Sequence, residues 1–439
     1  MASYNNVQRT TATYSVENIK GFKQQMLNWA NRFNICCFLD SHQYKNAHSS
    51  FECLVGVGAL SFINASEKAL TKLETYTSLI NDWLFGHLSY ELKKETEATA
   101  SHQPDNIGFP SVYFFQPEIV IELNGDTVTI HSATRQPSVI IEELYAADSE
   151  AGNMGYNQPV LNIQPRISKE QYINTINAIR SNILRGDCYE LNFCQEFFSE
   201  EALIDPLNTY RRLTTISPNP FAGYYKLSDK YLLCASPERY LKKTGSLIIS
   251  QPIKGTLKRD TENLLHDIEL KNALYNSGKD RSENVMVVDL VRNDLSRICE
   301  EGTVKVSELY GIYSFPQVHQ MISTIEGTLR ANVSFTDIIK ASFPMGSMTG
   351  APKRNVVQLI DRYEQSGRGI FSGALGYITP GKDFDFNVVI RSIMYNSTSK
   401  FLSYQVGGGI TFYSDAEKEY EECLLKASAI EQVFGSAIS

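Results

Sequence analysis

Short apolar runs divided by polar turns fill the first part of the chain. Residues 34–39, 51–57, 111–123 and 127–130 read as strands. The Asn124-Gly125 step between the last two is a strong hairpin signal, because both residues tolerate the positive φ of a tight turn. Apolar spacing predicts a helix over 69–80. From 147 to 165 the periodicity stops and Gly, Asn, Gln and Pro take over, which marks a connection between domains.

Beyond that point the pattern sharpens. Ser168 and Gln171 have capping-box spacing, Ile173, Ile176, Ile179 and Ile183 form one helical face, and Gly186 is placed to end the helix. Strands are predicted over 189–198, 221–227, 231–235, 247–250, 373–378, 386–393 and 401–406, and helices over 261–275 and 280–294. A last helix is predicted from Ser414, capped with Glu417, to about 434. Strands and helices mix without strict alternation, so the pattern implies an α+β fold with large antiparallel sheets.

The composition adds exclusions. The 439 residues carry 41 basic and 49 acidic side chains, a net charge of −8, with no basic stripe for nucleic acid. No apolar run is long enough for a membrane span, and the first twenty residues lack the apolar segment of a signal peptide, so the expected location is the cytoplasm. The eight cysteines form no CxxC pair and read as small core residues in a reducing compartment.

Three features carry candidate chemistry. Lys254 lies between Pro252 and Gly255, on what reads as a bent, rigid connection; burial there would favour the neutral amine, a nucleophile. Asp280 and Glu283 share one face of a predicted helix, as do Glu419, Glu422 and Lys426 on the last one. Brought together, these carboxylates would suit Mg²⁺, with Lys426 meeting a substrate carboxylate. Gly407-Gly408-Gly409 and the turn from Phe343 to Lys353 let backbone approach a ligand, but neither is a dinucleotide fingerprint or a P-loop. Each alone is also what a turn or a solvated helix face looks like.

Together the motifs resemble the chorismate-binding enzymes, the group that includes anthranilate, aminodeoxychorismate, isochorismate and salicylate synthases. The matching stretches are Gly186-Asp187-Cys188-Tyr189, Ser236-Pro237-Glu238-Arg239, Pro252-Ile253-Lys254-Gly255-Thr256, Asp280-Arg281-Ser282-Glu283-Asn284, the run from Val287 to Asp294, Gly350-Ala351-Pro352-Lys353, Gly407-Gly408-Gly409 and Glu419-Tyr420-Glu421-Glu422. The resemblance implies two large antiparallel sheets packed together with helices outside. Residues 160–435 would form the catalytic domain, and residues 1–150 would complete the fold. Lys254 stands where anthranilate synthases typically have alanine, which points to the aminodeoxychorismate branch.

That resemblance implies roles. Lys254 attacks C2 of chorismate and expels the C4 hydroxyl, and Glu238 is the acid/base beside the departing group. Ammonia then adds at C4 and releases the lysine, giving 4-amino-4-deoxychorismate, a precursor of 4-aminobenzoate and folate. Glu283 and Glu422 would ligate Mg²⁺, with Glu419 and Asp280 as inner or supporting carboxylates. His319, Gly346, Ser347, Tyr377, Arg391, Gly407, Gly409 and Lys426 match positions that hold the substrate. Glu190 departs from the pattern, standing where amino-transferring members have glutamine and water-adding members have lysine. No cysteine lies in a Gly-x-Cys-x-Gly glutaminase setting, so a separate glutamine amidotransferase subunit is expected to supply ammonia. The alternative reading is anthranilate synthase component I.

Overall fold

The computed structural model describes residues 7–44, 48, 50–99, 103–147 and 161–435. Most of the expected connection over 147–165 lies outside them. Among the described residues one sheet has 12 strands and the other 10, and every strand pairing is antiparallel. The larger sheet runs from Thr10–Ser15 through Cys53–Val57, Ile35–Asp40, Phe221–Leu227, Lys230–Ser236, Ser392–Asn396, Phe401–Ile410 and Glu190–Ser199 to Gly350–Ala351. The smaller runs from Ile253–Lys258 through Val318–Thr328, Leu247–Gln251, Arg239–Thr244 and Phe384–Asn387 to Ser61–Ala65. Strands from the first 150 residues extend both sheets.

The larger sheet is covered on both faces, which explains its nearly continuous apolar runs. Cys37 and Cys234 face the other sheet with Phe85, Leu241 and Ile325. Their neighbours Cys36, Phe38, Leu233 and Ala235 face a layer of helices through Trp29, Ile176, Tyr210 and Ala427. Alternation along each strand thus feeds two cores, and each buried aromatic or large aliphatic side chain stabilises by about 2 kcal/mol. All eight cysteines are buried and free. No helix among the described residues is long and apolar enough to cross a membrane.

Several expected elements shift. The run 111–123 is two strands, Val112–Gln116 and Ile119–Asn124, parted at Pro117, whose missing N–H breaks a ladder. The run 386–393 likewise splits into Phe384–Asn387 and Ser392–Asn396, with Arg391 at φ 49° between them. The last helix, Ala416–Phe434, is capped by Asp415 and not by Ser414 with Glu417, because the Asp415 carboxylate accepts the Lys418 N–H while Ser414 Oγ accepts the Thr411 N–H. The Ser168/Gln171 capping box and the left-handed Gly186 cap form as expected around Lys169–Arg185.

Candidate active site

Lys254 belongs to a regular element, contrary to the expectation of a connecting turn. It lies in the strand Ile253–Lys258, paired with Val318–Thr328. The register passes from Ile253↔Ile322 to Thr256↔Gln320, so the Lys254 strand holds one extra residue there. This is a β-bulge, a device that turns a side chain out of the normal alternation. Gly255 permits it with φ 93°, and a Cβ at that glycine would stand 3.0 Å from the Asp280 side chain.

The bulge aims Lys254 at the other sheet. Its Nζ lies 2.6 Å from Glu190 Oε1, with side-chain exposures of 11% and 3%. Glu190 opens the strand Glu190–Ser199, held between Gly350–Ala351 and Phe401–Ile410. The three glycines 407–409 are the paired end of that last strand and not a loop after it. Gly409 makes room for the pair: a Cβ there would lie 2.7 Å from Glu190 Oε1 and 2.9 Å from Lys254 Nζ.

Glu238 completes the centre. It sits on the crossover from Lys230–Ser236 in the larger sheet to Arg239–Thr244 in the smaller one. Its N–H donates to Ser236 Oγ (3.2 Å) and its carbonyl accepts from Val388 N–H (3.0 Å). Burial pushes its carboxyl up to about 7, partly offset by the Ser347 hydroxyl, the Lys254 charge and the Ile253 N–H. Glu283 is also pushed up to about 7 by burial, against the pull of Lys254. Lys254 itself runs opposite to expectation. Burial alone would lower its pKa, but Glu190, Glu283 and Glu238 outweigh it, and the amine is held as ammonium.

The match to known proteins follows this geometry. A family model described as chorismate binding enzyme covers residues 39–432. The chain belongs to the chorismate-binding enzyme family. A probable aminodeoxychorismate synthase of Oryza sativa is 33% identical over 85% of this chain and 46% of its own length. Aminodeoxychorismate synthase component 1 of Escherichia coli is 36% identical over 61% of this chain and 58% of its own. An anthranilate synthase component I-like protein of Synechocystis is 33% identical over 79% of this chain and 71% of its own. The chain spans about half the length, or less, of the first curated relatives it matches. Anthranilate synthase component I from Streptococcus pneumoniae shares the fold at TM-score 0.75, with 23% identity over 88% of this chain and 95% of that one.

In this chorismate-binding enzyme a lysine side chain links the two acidic helices. Helix Gly278–Ser296 turns Glu283 onto the stripe of Asn284, Val287 and Val291, and helix Ala416–Phe434 turns Glu419 onto that of Cys423 and Ala427. Lys279 Nζ lies 3.9 Å from Glu283 and 3.8 Å from Glu419. Among the described residues no three His, Cys, Asp or Glu side chains are gathered closely enough to hold a metal ion. The donors nonetheless suit a hard cation that keeps most of its waters: Glu283 Oε1 is buried without a hydrogen-bond partner, and a lysine ammonium already sits between the helices. Asp280 packs against Gly255. Glu422 pairs with Lys426 at 2.7 Å, and Lys426 Nζ also donates to Gly407 O at 3.0 Å.

The remaining expected residues divide. Gly346 and Ser347 form a 3₁₀ turn beside Glu238, with Gly346 pressed against Leu290 and the Ser347 carbonyl held by Asn192 Nδ2. Arg391 is half-buried, and burial lowers its pKa. It has no hydrogen-bond or ion-pair partner for its guanidinium among the described residues, and its carbonyl accepts from Ala235 N–H just before the Glu238 crossover. Two residues have other partners in this structure. His319 has both ring nitrogens engaged, by Ser314 Oγ (2.9 Å) and Asp267 Oδ1 (3.1 Å). Tyr377 packs among Phe51, Trp83 and Phe85 at the wall of a cavity of about 70 Å³ that also contains Asp40, Arg239 and Asp385. Lys279 and Asn192 were missed; the i,i+4 spacing of Lys279 to Glu283 was the one available signal.

Proposed function

We propose that this chain aminates chorismate at C4, forming 4-amino-4-deoxychorismate for 4-aminobenzoate and folate synthesis, as the first component of an aminodeoxychorismate synthase. The observation that carries this is Lys254, held by a bulge between the buried carboxylates of Glu190 and Glu238. A purely structural lysine needs one partner; this one stands beside a carboxyl group poised to donate a proton near neutral pH.

The residues divide the work as follows. Arg391, a half-buried guanidinium with no partner among the described residues, takes a substrate carboxylate. Glu190 accepts a proton from the Lys254 ammonium, freeing the lone pair to attack C2. The ring electrons shift, the C4–O bond breaks, and Glu238 gives its proton to the departing hydroxyl, which leaves as water. Ammonia then forms the C4–N bond, the C2–N bond breaks with its electrons returning to Lys254, and Glu190 returns the proton. Glu283 and Glu422, supported by Glu419 and Asp280, would hold Mg²⁺, which supplies charge neutralisation at the ring carboxylate and withdraws electron density from the diene.

Ammonia comes from a separate glutamine amidotransferase subunit, a reading supported by the relative named component 1. The test is incubation with chorismate, Mg²⁺ and ammonium, with product identified before and after adding a pyruvate-eliminating lyase. Aminodeoxychorismate supports the proposal. Anthranilate formed directly would favour the second reading, anthranilate synthase component I, for which the Synechocystis relative speaks.

A further inference from the structure

Against Glu238 lies a cavity of about 20 Å³ whose wall does not include Lys254. Glu238, Ser250, Asp294, Ser342 and Ser347 contribute polar groups to its wall, and Val291 helps close it. A space of this size takes one water, and carboxylates and hydroxyls give that water the two to four partners it requires. Asp294 is not used by the chemistry above, yet it is a carboxylate only 4% exposed.

Asp294 also leads outward. Its Oδ2 lies 2.7 Å from Lys353 Nζ, which donates in addition to Ser342 O at 3.2 Å. Burial pushes the Asp294 carboxyl up to about 6, opposed by Lys353 and Arg297 and reinforced by Glu97. Half-buried Glu97 feels Lys353, Arg297 and Arg354 in turn. On the other side, the Tyr240 hydroxyl is tied to Ser342 Oγ at 2.6 Å. The Lys353–Asp294 pair thus leads to the cavity and Glu238, with the Glu97 charge within electrostatic reach of it.

We propose that Asp294 is a positioning residue that returns a proton to Glu238 through water in this cavity while substrate occupies the site beside Lys254. This rests on the amination reading, in which each turnover strips Glu238 of its proton. Protonated Asp294 gives a proton to the water, the water gives another to the Glu238 carboxylate, and solvent reloads Asp294.

The test uses the full chain with chorismate, Mg²⁺ and ammonium. Asp294→Ala should lower kcat by about tenfold or more above pH ~7 and leave the chorismate KM within about twofold, the pattern of a lost proton supply rather than lost binding. Formate, small enough for the vacated space, should restore kcat in that variant and leave wild type unchanged. Because Asp294→Ala strands Lys353, the charge-neutral Asp294→Asn/Lys353→Met variant is measured beside it. A wild-type kcat–pH profile in the double variant, or a loss in Asp294→Ala that formate does not restore, overturns the relay. A wild-type chain that makes no aminodeoxychorismate ends the functional reading and the relay with it; an active wild type with unaltered variants ends the relay alone.

Discussion

Lys254 and Glu190 belong to different sheets, and their side chains meet at 2.6 Å where those sheets come together. Neither strand would present its charge there alone. One needs a bulge, and the other needs a neighbour without a side chain, Gly409.

Replacing the amine tests the chemistry directly. Lys254→Ala should cut aminodeoxychorismate formation by about a thousandfold, as loss of a covalent nucleophile does. Mg²⁺-dependent chorismate binding, followed by calorimetry, should survive, and any residual product should drift toward anthranilate. Unchanged turnover would exclude a covalent lysine.

The ion pair makes a separate, thermodynamic prediction. Glu190→Gln leaves a buried lysine without its nearest counter-charge and should destabilise by about 3–5 kcal/mol, whereas Glu190→Gln/Lys254→Met should recover most of that. Because the folded pKa of Lys254 is raised above its ordinary 10.5, the pair's contribution is full below that value and lost as pH rises through the folded pKa. Melting curves of the three proteins check this. In Glu190→Gln, acylation of Lys254 should begin at lower pH.

Glu238 should set an alkaline limb. Its carboxyl is pushed up to about 7, so kcat should fall as pH rises through that value, and Glu238→Gln should abolish both turnover and limb. The sign for stability agrees: a folded pKa above the ordinary 4.5 means stability present below 4.5 and lost as pH rises to about 7. The melting temperature of Glu238→Gln should therefore depend less on pH across that interval than that of wild type.

Gly409→Ala should separate the pair by force. Its Cβ would fall 2.7 Å from Glu190 Oε1 and 2.9 Å from Lys254 Nζ. Overpacking of this kind costs about 1–3 kcal/mol, and turnover should suffer more than melting temperature. Equal activity in the two proteins would show that the pair is free to move.

Metal binding can be read without turnover. Mg²⁺ added to wild type should raise the melting temperature by mass action, and Glu283→Gln and Glu422→Gln should each reduce that rise. A rise that persists in both would place the cation elsewhere.

Local chemistry made parts of the structure legible. The turn after Asn124, the Ser168 capping box and the Gly186 cap depend on residues within a few positions of one another, and all form. So does the antiparallel two-sheet architecture. Helix Ile19–Ala30 is not among the expected elements, although Phe22, Met26 and Trp29 carry the i, i+4, i+7 spacing of a half-buried helix. The bulge escaped notice because Pro252 and Gly255 are equally suited to a turn; only pairing with Val318–Thr328 makes a strand of it. The charge on Lys254 was unreadable for the same reason: counting the carboxylates around it requires knowing that Glu190 and Glu283 arrive from distant segments.

Those distances bear on biosynthesis. The strand carrying Glu190 pairs at its far end with Gln164–Pro165, made before it, but its two main neighbours at the Glu190 end, Gly350–Ala351 and Phe401–Ile410, leave the ribosome long after it does. Until then a nascent chain exposes an apolar strand whose edges are largely open, and pairing across such separations is slow. Protection by chaperones during synthesis, and loss of solubility when translation stops before Phe401, are consequences of where this one strand finds its neighbours.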